Sequence, residues 1–135
     1  MAKSLTVSLG QQLKGELKSL AQLEGRHVSE QTLYLLGAIA SLALRFPALK
    51  LEPGPTDPIE AKLAFAIELS GELEDRLFHL ACSYGLSRQE LIRTFLWMGV
   101  RFRKRLAGQI QDQLIRQEVF VELILESLQP VGWVN

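Results

Sequence analysis

Two stretches sixty residues apart constrain the fold of this chain more than any other feature. Ser4-Leu5-Thr6-Val7-Ser8-Leu9 alternates polar and apolar residues. That is the period of a strand with one wet face and one buried face. Leu63-Ala64-Phe65-Ala66-Ile67-Glu68-Leu69 repeats the alternation. Each stretch runs directly into a helical pattern, so the chain states the same plan twice.

The plan continues in matched positions. Leu13, Leu17, Leu20 and Ala21 form one apolar helical stripe, and Leu73, Leu77, Leu80 and Ala81 form its counterpart. Gly25 and Gly85 stand where each helix should stop, since glycine takes the left-handed C′ conformation without a Cβ penalty. Beyond the glycine the serines Ser29 and Ser87 are aligned as the N-caps of a second helix in each copy, which shifts the offset from sixty to fifty-eight. Ser87-Arg88-Gln89-Glu90 reads as a capping box. The second helix of the first copy, Leu33 to Leu44, is apolar nearly all round and is expected to be buried on more than one side. Its counterpart ends in Arg101-Phe102-Arg103-Lys104-Arg105, read as a solvated helix end suited to the helix dipole. Strand, helix, glycine, turn and capped helix in one order, twice, point to an internal duplication.

These patterns divide the chain into a first unit at 1–45, a Pro-rich acidic linker at 46–61, a second unit at 62–105, and a C-terminal helix and tail at 106–135. The linker carries four prolines between Pro47 and Pro58. As an extended chain it could reach roughly 50 Å. The last segment has apolar residues over 119–128 and no counterpart after the first unit.

Charge is balanced overall, with 15 basic and 15 acidic side chains. Regionally it is not: the first unit holds five basic against three acidic residues and the second eight against five, offset by the linker and the tail. The longest apolar run is too short for a bilayer span, and no apolar leader precedes the first strand. A soluble cytoplasmic protein without membrane association is expected. The single Cys82 is expected to be a small buried hydrophobe. His27 and His79 stand alone, without Cys or paired carboxylates at ligand spacing, so no metal and no cofactor are expected. No nucleophile–base set or phosphate-binding glycine loop is present, and Glu72, Glu74 and Asp75 read as a solvated first turn. The chain is not expected to be an enzyme.

Leu5-Thr6-Val7-Ser8-Leu9, Leu13, Leu17 and Gly25 to Ser29, with Phe65 to Leu69, Leu73, Leu77 and Gly85-Leu86-Ser87, resemble the ribbon-helix-helix family of Arc-like DNA readers in tandem. The resemblance covers residues 3–45 and 62–105. It implies a mainly α fold in which the two units form an intramolecular pseudo-dimer, with a two-stranded antiparallel ribbon and an extra C-terminal helix. Leu5, Val7, Leu9, Phe65, Ile67 and Leu69 would then face the core. It further implies a transcriptional regulator that binds double-stranded DNA. Ser4, Thr6 and Ser8 on one strand and Ala64, Ala66 and Glu68 on the other would face the bases. Lys3, Ser29, Lys62, Ser87 and Arg88 would be the phosphate contacts, helped by the helix starts near the two serines.

The second strand departs from that pattern. Alanines touch only a thymine methyl, and Glu68 repels phosphate unless it meets a cytosine amino group. The alternative is therefore a protein-interaction or adaptor module on the same scaffold. It would associate with a partner or with itself through the apolar helices at 33–44 and 119–128.

Overall fold

The computed structural model describes residues 3–107. The element order is β1 (Lys3–Val7), α1 (Gln11–Glu24), α2 (Val28–Arg45), a short 3₁₀ turn (Ala61–Leu63), β2 (Phe65–Leu69), α3 (Gly71–Tyr84) and α4 (Arg88–Ala107). The described chain is mainly helical, with one two-stranded antiparallel sheet. None of its helices is long and apolar enough to cross a membrane. The helical pattern at 109–128, including the apolar segment 119–128, lies outside the described residues.

The strands alternate as their sequences require. Leu5, Val7, Ile67 and Leu69 are buried, as is Leu9 just past β1, and Phe65 is half-buried against the same core. Ser4, Thr6, Ala66 and Glu68 are exposed. The ladder pairs Ser4 with Glu68, Leu5 with Ile67, Thr6 with Ala66 and Val7 with Phe65. Thr6 and Ala66, sixty residues apart, therefore sit opposite each other, one pair from the Val7 end of the ladder.

α2 and α4 pack against each other and against the remaining helices. Leu35, Leu36 and Ile39 meet Phe95, Leu96 and Val100 in one continuous core. Gly99 allows the closest approach. A Cβ there would lie 3.0 Å from Leu35 Cδ2, tighter than a side chain normally tolerates. α2 is buried along most of its length, although Ser41 and Leu44 are exposed.

Both first helices end on a left-handed glycine, Gly25 at φ 69° and Gly85 at φ 68°. The amides of Arg26 and Leu86 then donate to the carbonyls of Ala21 and Ala81, which closes each helix in the same way. The second helices correct the sequence alignment. α2 begins at Val28 with His27 as N-cap, so Ser29 lies inside the first turn; α4 begins at Arg88 after Ser87. His27 and Ser87, like Glu30 and Glu90 three residues on, are sixty apart. The offset stays at sixty and no two-residue gap exists. Ser29 carries the better capping hydroxyl, but the backbone turns into the helix one residue before it, at Val28.

The linker is a packed part of the fold. Leu49 is buried and its carbonyl accepts from the Tyr84 hydroxyl at 3.0 Å. Gly54 lies directly on the Trp97 ring, where a Cβ would collide. Glu60 N–H donates to Leu9 O at 3.0 Å, and Ile59 bridges Gly10. Asp57 accepts from the amides of Gln12 (3.1 Å) and Leu13 (2.9 Å), supplying the cap that Gly10 lacks at the start of α1. In α3 the same task falls to Ser70, whose hydroxyl accepts from Leu73 N–H at 3.1 Å.

Two further expectations are overturned. Cys82 is exposed, because it stands on the outer side of α3, beyond the Leu77–Leu80–Ala81 stripe. Arg103, expected at a solvated helix end, is fully buried in an ion pair with the equally buried Glu24 at the end of α1. α4 continues past it to Ala107, so position 103 falls on the inward face.

Candidate functional site

The outward face of the ribbon carries Ser4 and Thr6 beside Glu68 and Ala66. Ser8 is half-buried just beyond the end of β1, and Ala64 is half-buried between the 3₁₀ turn and β2. The two strand segments expected at 4–9 and 63–69 are thus shorter at one end each. Of the six expected reading residues, four lie within the paired ladder on its exposed face and two lie just past its Val7–Phe65 end. The hydroxyls of Ser4 and Thr6 make no hydrogen bond among the described residues, so both remain available to a ligand.

α4 begins against the edge of β1. The Gln89 carboxamide accepts from Ser8 N–H at 3.0 Å and donates to Thr6 O at 2.8 Å. Arg93 donates to Ser8 O at 3.2 Å. Neither residue stood out in the sequence. Their spacing of four on one helix face was the available clue, but the strand they grip lies more than eighty positions earlier.

The phosphate-contact candidates fall into three settings. Lys3 and Arg88 come together around one carboxylate, Glu74, at 3.6 and 3.9 Å. Glu74 is half-buried and so belongs to this cluster more than to a solvated first turn; Glu72 pairs instead with Arg76. Lys62 is exposed on the 3₁₀ turn, 3.7 Å from Glu60 and apart from the other cations. Ser29 and Ser87 mark the starts of α2 and α4 in different ways. Ser87 Oγ accepts from Glu90 N–H at 3.2 Å while Glu90 accepts from Ser87 N–H at 3.1 Å, a reciprocal capping box. Glu30 reaches His27 N–H at 3.4 Å, leaving Ser29 as a half-buried bystander.

Electrostatics follow from these contacts. The hydrogen bonds from Ser87, side chain and then backbone, hold the Glu90 carboxyl below its ordinary 4.5, with help from the Arg93 charge. A carboxylate thus stands at the mouth of α4 where an incoming phosphate would sit. Lys14, lying over the Phe65 ring at 3.9 Å and donating to Leu63 O, is pulled below its usual range by burial and then by Lys18.

At the end of α1, Glu24 and Arg103 form the centre of a buried polar cluster. Gln31 donates to Glu24 at 2.8 Å, Arg26 approaches Glu24 at 4.0 Å, and both Arg26 and Arg103 lie over the Tyr34 ring. Burial raises the Tyr34 hydroxyl above its ordinary pKa, partly offset by Arg26. No described group of three or more His, Cys, Asp or Glu side chains could hold a metal ion. No family model, curated protein or solved structure matches the chain.

Proposed function

We propose that this chain is a single-chain ribbon-helix-helix pseudo-dimer, the product of an internal duplication, that binds double-stranded DNA as a transcriptional regulator. One observation carries the reading: Thr6 faces Ala66 across the ribbon. A ribbon made by two equivalent segments has its two-fold axis where a residue meets its own counterpart, and these two are counterparts at the constant offset of sixty. A two-stranded ribbon fits the B-DNA major groove, about 12 Å wide. Its outward hydroxyls at Ser4 and Thr6 can donate to or accept from base edges.

The two strands differ, so the site recognised is asymmetric. Base reading falls on Ser4, Thr6 and Ser8, while Ala66 and Glu68 contribute a methyl contact and an acceptor. Selection from random duplexes at low salt, followed by gel shift, should recover such a site. Thr6→Ala combined with Ser8→Ala should weaken binding to it with helix content unchanged. No retention of any duplex at micromolar protein overturns the reading.

A second reading is favoured by the carboxylates at the ribbon's flanks. Glu74 neutralises part of the Lys3 and Arg88 charge, and Glu90 occupies the start of α4. An adaptor that binds protein instead of DNA would carry such flanks without loss. It predicts a stable complex that neither DNA nor a nuclease alters; a chain that binds DNA in a salt-dependent manner and stays monomeric would remove it.

A further inference from the structure

We propose that Gln89 and Arg93 are positioning residues that hold β1, and not β2, in one fixed presentation, so that sequence discrimination is confined to the half of the DNA site facing β1. The proposal rests on the DNA-binding reading above and names how that site is regulated in its specificity.

The geometry is that of a side chain standing in for a neighbouring strand. One carboxamide spans two outward backbone groups at the end of β1, the Thr6 carbonyl and, just past the strand, the Ser8 amide, at 2.8 and 3.0 Å. A donor on one side and an acceptor on the other fix the orientation of the amide. One turn along, Arg93 takes the Ser8 carbonyl at 3.2 Å. The capping box of Ser87 and Glu90 holds the turn from which Gln89 projects. Three hydrogen bonds therefore tie the C-terminal end of β1, from the exposed Thr6 to the half-buried Ser8 just past the strand.

At the constant offset of sixty, the corresponding positions on α2 are Ser29 and Leu33. A serine is too short to bridge two backbone groups and a leucine donates nothing. Among the described residues, the outward backbone groups of Ala66 and Glu68 receive no hydrogen bond from α2. β1 is thus pre-organised and β2 is not. A strand already held in its bound form gives up less conformational freedom on binding, so its contacts discriminate more sharply.

The test uses the full chain, with site selection and gel shift for the wild type, Gln89→Met (same length, no amide) and Gln89→Glu (retains an acceptor for Ser8 N–H, loses the donor to Thr6 O). Gln89→Met should lose about tenfold of its preference at base pairs facing β1, with the rest of the site unchanged. Gln89→Glu should fall between it and the wild type. Amide exchange at Ser8 should quicken in Gln89→Met. A uniform loss across all duplexes, an unchanged preference, or unchanged exchange at Ser8 overturns the proposal. If the wild type retains no duplex, the DNA reading fails and takes this proposal with it; if the wild type binds and Gln89→Met keeps its preference, only the positioning role fails.

Discussion

The two halves of the chain share a backbone plan, down to the bonds that close their helices, and differ in several of the side-chain contacts that secure it. α1 and α3 span equivalent positions and end on left-handed glycines of nearly identical φ. Yet α1 takes its cap from Asp57 in the linker, and α3 takes its cap from its own Ser70. α1 ends in buried Glu24, paired with Arg103; the equivalent positions in the opposite sense are Tyr84, bonded to Leu49 O, and Ala43. Repetition of apolar positions is enough to repeat a fold. Polar contacts are free to diverge, and their divergence makes the halves non-interchangeable.

The buried pair gives the largest expected effect. Glu24→Tyr, which copies the second half into the first, removes a carboxylate from beside a buried guanidinium and should cost about 3–5 kcal/mol in urea unfolding. Adding Arg103→Ala, which copies the first half into the second, should recover a substantial part of that loss, because the two residues are coupled. Full additivity would show that the pair does not distinguish the halves.

The capping difference should be smaller and invertible. Asp57→Ala should cost about 1 kcal/mol by leaving the amides of Gln12 and Leu13 without their acceptor. Gly10→Ser reproduces the Ser70 arrangement. Alone it should destabilise, since its Cβ meets the Asp57 carboxyl; in the Asp57→Ala background it should stabilise. Thermal melts of the three variants check the change of sign.

Glycine equivalence is the control. Gly25→Ala and Gly85→Ala should each cost about 1 kcal/mol, because both sit at positive φ. A large difference between them would mean that the two turns are not equivalent.

The smallest effect concerns pH. Glu90 has a depressed folded pKa, so its contribution is present above the ordinary value and is lost as pH falls through the folded one. Glu90→Gln should therefore lose less stability than the wild type on acidification from about pH 5 to about pH 3. No steeper acid loss in the wild type than in Glu90→Gln would remove Glu90 from the account.

Much of the architecture was legible because it rests on periodicity. The alternation around Leu5 and Ile67, the leucine stripes and the two glycines are local patterns, and local patterns survive in one dimension. What escaped reading depends on distant partners. Ser29 has the better capping side chain, yet the helix begins where Gly25 and the turn geometry place it, at Val28 with His27 as its cap. Arg103 sits in a basic run that reads as solvated until Glu24, far earlier in the chain, is known to lie opposite. Gln89 is an ordinary exposed-helix residue until β1 is placed beside it. Asp57 serves a helix more than forty residues before it, which no capping rule based on adjacent residues would find.

The seating of the linker has a consequence for how the molecule behaves on dilution. Two separate chains that share one core hold together only while their concentration exceeds their dissociation constant, and their stability changes with it. Here the connection is covalent, and it is anchored at Tyr84, Trp97, Leu9 and the start of α1 along its course. An insertion in the linker would detach these anchors before it lengthened any reach. Pairing of β1 with β2 within one chain is a unimolecular event, and its extent does not change with dilution.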